Sequence, residues 1–223
     1  MTTPTRATRS EARDRLLTTA SELFYREGIR AVGVERILAE APATRATFYR
    51  HFPSKDDLVL AYLHGADARA RDQVRAAVES TTSPADAVRA IGAAVAADLA
   101  RPEFRGCAFL NAATEYPDPD DPVRRVVLDH RRWYVSTLAA LFAEVFGDSP
   151  RRGDPGHAAR HFVLMRDGAM TGAHLDGADE VGDAFGRGVE GLLTLLHRDA
   201  ESGDAAAPPG GASTGDSSTS RRT

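Results

Sequence analysis

The sequence predicts an all-α protein of about nine helices, and three observations carry that reading. Apolar residues recur at intervals of three and four through most of the chain, the spacing that lays them on one face of a helix. No stretch alternates apolar and polar residues with the period of two that a half-buried strand requires. Three pairs, Ser83-Pro84, Asp121-Pro122 and Asp154-Pro155, set a capping side chain directly before a proline suited to the first helical position.

From Arg13 to Gly28, the segment RDRLLTTASELFYREG carries Leu16, Leu17, Ala20, Leu23 and Phe24 on one helical face. Gly28 then supplies a left-handed cap, since a residue without Cβ takes a positive φ at little cost. Val34, Ile37, Leu38 and Ala41 mark a short second helix that breaks at Pro42. Thr44 is placed to cap a third helix by accepting a hydrogen bond from the backbone N–H near Thr47. Ser54 starts a long fourth helix running to about Ser80, with Asp56 and Asp57 in its first turn, where carboxylates complement the helix dipole.

Ser83-Pro84 opens a fifth helix through Val88, Ile91, Val95 and Leu99, stopping near Pro102. Gly106 to Glu115 reads as a short sixth, closed by the proline-rich loop at 116–122. The seventh spans about Asp121 to Phe146, and the eighth starts at Asp154-Pro155 and ends near Asp176-Gly177. The ninth carries Val181, Phe185, Val189, Leu192, Leu193 and Leu196. Residues 201–223 are rich in Gly, Ser, Thr, Ala and Pro and cannot bury enough surface to order themselves, so a disordered tail is expected.

The second and third helices, short and joined by a tight turn, describe a helix-turn-helix whose second member, TRATFYRHF at 44–52, is the reader of DNA. At these residues the chain resembles the tetracycline-repressor (TetR-type) family of one-component bacterial regulators. The shared pattern is Ala20, Leu23-Phe24, Gly28, Ile37, Thr47-Phe48-Tyr49, His51-Phe52, Ser54-Lys55 and Leu58, with Tyr-x-His-Phe-x-Ser-Lys at 49–55 its most specific part. The close match covers roughly residues 10–60, with a looser echo at Gly106-Cys107. The family usually places glycine in the turn, where Ala41-Pro42-Ala43 stands here. Proline is fixed near φ ≈ −65°, so either the turn takes another conformation or the angle between the helices differs.

The resemblance implies a disordered arm at 1–9, a helix-turn-helix domain at 10–58, a helical ligand-binding and dimerisation domain at 59–200, and the tail. It also implies a homodimer on double-stranded operator DNA of two-fold symmetry, released as a repressor by a small-molecule effector. The alternative reading is a binding or interaction protein of the same fold without productive DNA binding. Arg45 is expected at a guanine edge or phosphate, and Thr44 and Thr47 at phosphate or a thymine methyl. Tyr49, His51 and Lys55 carry over from the family as phosphate contacts. The polar segment holding Arg6 and Arg9 reads either as a solvated tail or as an arm toward the DNA backbone or minor groove.

Charge agrees with a DNA reader once it is divided along the chain. The net charge is −4, but residues 1–58 hold ten Lys and Arg against eight Asp and Glu, leaving 18 against 24 in the remainder. A basic head on an acidic body is the asymmetry that phosphate contact needs. A hydrophobic content of 42% and a charged content of 27% are those of a globular protein. No apolar run approaches the ~20 residues of a membrane span, and the N-terminus lacks the apolar core of a secretory signal. The single Cys107 forms no internal disulfide and fits a reducing cytoplasm.

Between about residues 84 and 175 a largely apolar effector pocket is expected between helices. Its candidate walls are Phe104, Cys107, Leu110, Asn111, Trp133, Tyr134, Leu138, Phe162 and Met165, with Asn111 as the polar anchor. The last two helices are expected to form the dimer interface, with Gly168, Gly172, Ala173, Gly182 and Gly188 allowing close approach. The run GRGVEG at 186–191 matches G-x-G-x-x-G, but it sits inside a helical apolar pattern, where it cannot turn a chain toward a pyrophosphate. His157 and His161 share a helical face without a third metal ligand at suitable spacing. No metal, cofactor or catalytic motif is read from the sequence, so an enzyme is not expected.

Overall fold

A computed structural model describes residues 6–147 and 153–201, and among these residues it holds nine helices and no strand. They are α1 (Arg6–Glu27), α2 (Val34–Glu40), α3 (Arg45–His51), α4 (Lys55–Glu79), α5 (Pro84–Leu99), α6 (Ala108–Glu115), α7 (Pro122–Phe146), α8 (Pro155–Gly172) and α9 (Ala178–Glu201). The backbone of Arg6 and Arg9 falls within α1, and their side chains lie outside the described residues. Residues 1–5, most of the loop at 147–153, the tail from 202 and the side chain of Leu196 lie outside the described residues.

Each capping side chain named above makes its bond. Thr44, Ser54 and Ser83 accept at 3.1 Å from the N–H groups of Thr47, Asp57 and Asp86. Asp121 and Asp154 accept at 2.7 Å from Val123 and Gly156. Such a cap contributes about 1 kcal/mol by satisfying an N–H that the helix itself leaves open. Two ends differ from the sequence reading. α6 starts at Ala108 because Gly106 sits at φ +84, a left-handed conformation no α-helix contains. α8 stops at Gly172, after which the chain continues in turns to Gly177.

The turn between α2 and α3 is made without glycine. Ala41, at φ −96 and ψ 81, donates its N–H to the Ile37 carbonyl at 2.8 Å and is buried. A residue before proline is pushed away from helical ψ, and Ala41 obeys this while keeping φ negative.

α1, α2 and α3 close around Leu16, Leu23, Phe24, Ile37, Phe48 and Phe52, none more than 3% exposed. α4 begins on this head, burying Leu58, Val59, Tyr62 and Leu63, and continues into the body, where it packs on α5 and α7. The expected boundary at 58/59 thus falls inside one helix, and the buried apolar residues of head and body form a single cluster. In the body α5 packs on α9 and α7, α7 on α8, and α8 on α9, while short α6 rests on α7 and α4.

Several glycines expected at a dimer interface serve packing within the protomer. A Cβ on Gly182 would stand 3.6 Å from Ala96 Cβ, and one on Gly188 only 2.7 Å from Met165 Sδ. Gly172 faces Val181 at 3.7 Å. These positions let α9 lie close on α5 and α8, whereas Gly168 faces open space. Gly186, Gly188 and Gly191 all lie within α9, so the G-x-G-x-x-G match is helical. No helix among the described residues is long and apolar enough to cross a membrane. His157 and His161 are exposed, and no group of three metal-binding side chains occurs among the described residues.

Candidate nucleic-acid interface and adjoining cavity

α3 is anchored from beneath by Phe48, which is fully buried and meets Phe52 with ring centroids 6.1 Å apart. The opposite side offers Thr44, Arg45, Ala46, Tyr49 and Arg50 to solvent, Tyr49 with half its surface free. Thr44 and Thr47 hydroxyls meet at 3.0 Å, and Arg45 pairs with Glu35 of α2 at 2.6 Å, both side chains largely exposed. Thr47, in the first turn, and His51, at the end of the helix, are half-buried. Lys55, at the first position of α4, is also half-buried, its ammonium 5.9 Å from the Phe24 ring centroid, and burial lowers its pKa. Arg50 was absent from the sequence reading, although its place one residue beyond Tyr49 on an exposed helix was visible there.

Beyond α4, hydrogen bonds of Glu115 and Tyr25 tie the head to the body. Glu115, at the end of α6, accepts from the backbone N–H groups of Ile29 at 2.9 Å and Arg30 at 2.6 Å, just past α1. Gly28, at φ +95, takes the left-handed conformation that turns the chain out of α1 toward these two N–H groups, and glycine adopts it without strain. Tyr25 of α1 donates to the Gly106 carbonyl at 3.0 Å and accepts from the Arg105 N–H at 2.9 Å, fixing the entry to α6. The entry to α6 is therefore latched to the last turns of α1, and its end to the connection that follows α1.

A cavity of about 290 Å³ opens between α6, α7 and α8. Phe109, Leu110, Val127 and Val163 give it apolar walls, and Arg124, Arg131, Arg166 and Asp167 give it charge. A second cavity of about 360 Å³, facing α1 and α4, shares Cys107, Phe109, His130 and Arg166 with it. His130 stacks flat on Phe109 with centroids 3.6 Å apart and bonds Asp67 of α4 through Nδ1 at 2.8 Å. Burial pushes the His130 pKa down further than the bond to Asp67 restores it. Burial alone would raise Asp67, but its bonds to Arg71 and His130 hold its carboxyl below the usual range.

Of the nine expected wall residues, Cys107, Leu110 and Tyr134 line the first cavity and Phe104 the second. Asn111 lines neither; its amide donates to the Arg105 carbonyl at 3.0 Å, so it fixes a loop instead of anchoring a ligand. Leu138 and Phe162 are core, Met165 packs on Gly188, and Trp133 lies 4.3 Å beneath the Arg71 guanidinium. The sequence reading passed over Arg166 and His130. Both sit on helical faces among apolar neighbours, a position from which spacing alone predicts neither charge nor cavity.

Residues 16–62 match the family model for bacterial regulatory proteins of the tetR family. Among solved structures, the chain resembles SCO4454, a TetR-family transcriptional regulator from Streptomyces coelicolor, at 51% identity and a TM-score of 0.80, covering 84% of this chain and 96% of that one. It is 28% identical over 173 residues to the transcriptional regulator AcuR of Cereibacter sphaeroides, covering 75% of this chain and 78% of AcuR. It is also 30% identical over 155 residues to an uncharacterized HTH-type transcriptional regulator of Mycobacterium tuberculosis, covering 58% of this chain and 74% of that protein. With the capped, outward-facing α3 and the helical body behind it, these likenesses settle the family: the chain is a member of the TetR family of DNA-binding transcriptional regulators, not an enzyme.

Proposed function

We propose that the protein is an effector-responsive repressor, bound as a homodimer to a two-fold-symmetric operator and released when a small molecule enters the body. Thr44, Arg45 and Thr47 set sequence preference, while Tyr49, His51 and Lys55 hold the DNA backbone, with Arg50 beside them. The observation that carries this reading is α6. It lines the cavity with Phe109 and Leu110 at one end, and at the other its Glu115 holds the α1–α2 connection of the reading head. A ligand that displaces α6 moves the head directly, and α4 offers a second lever because it begins at the head and carries Asp67, the partner of His130.

Release requires the ligand to prefer the dimer state whose reading helices are wrongly spaced for half-sites ~34–36 Å apart. A preference of ~10⁴-fold carries a two-state equilibrium from 1:99 to 99:1. The glycine-free turn at Ala41-Pro42 leaves α3 capped and exposed, which favours productive DNA binding over the alternative of a pure binding protein. The test is retardation of DNA from the protein's own promoter region as salt is raised. Specific binding that weakens steeply with salt is expected. Equal affinity for unrelated DNA would overturn the reading.

A further inference from the structure

We propose that the effector is a small organic acid whose carboxylate is held by Arg166 while its apolar body fills the cavity between α6, α7 and α8. The inference rests on the reading of the protein as effector-responsive and names the chemistry of that same site.

The Arg166 guanidinium is nearly enclosed, with 12% of its side chain exposed, yet its hydrogen bonding is incomplete. One terminal nitrogen donates to Asp167 Oδ1 at 3.2 Å and the other reaches the Cys107 sulfur, a weak acceptor, at 3.7 Å, while the Tyr134 hydroxyl is a further neighbour of the guanidinium. The buried Nε–H has no hydrogen-bond partner among the described residues. A buried donor left unpaired is costly, and a guanidinium edge short of acceptors suits the two oxygens of a carboxylate. The guanidinium carbon also lies 4.9 Å from the centre of the Tyr134 ring, which packs against it in the same cavity wall.

The charge around the cavity is also unbalanced. Arg124, Arg131 and Arg166 line it against the single carboxylate of Asp167. That carboxylate is already shared, with Oδ2 bonded to Arg131 at 2.5 Å and Oδ1 to Arg166. The His130 ring, also in the wall, turns its Nδ1 away toward Asp67 at 2.8 Å. One anionic group from a ligand would offset the excess, and beside the largely buried Arg166 its attraction is screened less than at the open surface. The remaining wall of Phe109, Leu110, Val127 and Val163 accepts a hydrocarbon body, and a volume of about 290 Å³ limits the ligand to a small one.

The test titrates the full-length protein with butyrate, hexanoate and phenylacetate and with their primary amides, following Trp133 fluorescence and thermal unfolding. At least one acid is expected to bind ten times or more tightly than its amide, about 1.4 kcal/mol. Arg166→Gln should abolish that preference. Because Arg166→Gln removes a buried charge and can impair folding, Leu110→Trp serves as a second variant. It fills the cavity without altering its charge and should weaken the acid at least tenfold.

Acids and amides binding alike, no binding by any of them, or an acid preference that survives Arg166→Gln would each overturn the proposal. So would equal stabilisation by inorganic phosphate that is lost in Arg166→Gln, which would assign the site to an inorganic anion. Operator release is measured separately. An acid that binds through Arg166 but leaves DNA occupancy unchanged upholds the site and overturns effector response. Amides that bind and release DNA do the reverse.

Discussion

Arg45 opens α3 with its guanidinium paired to Glu35, and both side chains are about two-thirds exposed. An exposed pair of this kind contributes at most about 1 kcal/mol to stability, so the arginine is free to exchange Glu35 for a base edge. Arg45→Ala is expected to leave the melting temperature nearly unchanged and to relax discrimination at one operator position by about 1–3 kcal/mol. Binding to a set of operators mutated one position at a time checks this, and intact discrimination would remove Arg45 from base reading. Lys55 differs because its stem is half-buried against Phe24. Lys55→Gln keeps much of that packing and removes the charge, so specific and non-specific affinity should both fall and the salt slope should shrink by about one. His130 carries a prediction about pH. Its folded pKa lies below the ordinary value near 6.5, so as pH falls the unfolded chain takes up the proton first. This contribution to stability is complete above about pH 6.5 and is lost as pH falls toward the folded value, at no more than about 1.4 kcal/mol per pH unit. Thermal melts between pH 7.5 and 5.5 should show a decline that is smaller in His130→Asn.

At the scale of elements, α6 is the short helix on which much depends. It carries Phe109 against His130 and Leu110 into the cavity, and it ends on Glu115, whose two oxygens hold two successive backbone N–H groups. Glu115→Gln leaves one oxygen for two donors and turns an amide N–H₂ toward the other. A loss of about 1–3 kcal/mol is expected from hydrogen bonds to a charged acceptor. The more informative readout is coupling, since allosteric links of this size change affinity by about 5–150-fold. Operator affinity without effector should change little in Glu115→Gln, while the concentration of acid needed for release rises. If release is unaffected, α4 alone transmits the signal. The glycine-free turn is a second lesson at this scale: Pro42 is accommodated because Ala41 takes a backbone conformation that needs no glycine.

For the whole molecule the question is what covers α8 and α9. Leu164 and Leu175 are the most exposed large apolar side chains among the described residues, at 64% and 79%, and both lie on or just beyond α8. Leu164, Gly168 and Thr171 are exposed and follow one another at intervals of four and three, so they form a stripe on one side of α8, with Leu175 in the turns just beyond its end. A dimer of ordinary interface size, about 1,200–2,000 Å² in total, would bury that stripe against its counterpart. Leu164→Glu is expected to shift sedimentation at micromolar concentration from dimer toward monomer. It should reduce affinity for a two-half-site operator far more than affinity for non-specific DNA. A dimer undisturbed by this change would move the interface to another face. The distribution of charge supports the same orientation, with the basic excess in the head and the acidic excess in the body that faces away from DNA.

The sequence by itself determined the helices and the reading head. Caps such as Ser83-Pro84 and Thr44 are local: a side chain meets an N–H two or three residues away, so spacing alone predicts the bond. The burial of Phe48 and Phe52 likewise follows from helical period and from the family pattern they belong to. Only the tertiary structure decided the cavity. Arg166 and Cys107 meet across 59 positions of chain, and Glu115 and Ile29 across 86. Asn111, polar and close to Cys107 in sequence, bonds a loop carbonyl, while an arginine on a distant helix supplies the charge. The glycines of α8 and α9 show the same limit. Their spacing announces close approach, but whether the approaching surface belongs to the same chain or to a partner depends on how α5, α8 and α9 pack. Local hydrogen bonds are written in neighbouring residues; pairings between distant helices exist only once the whole core has chosen its packing.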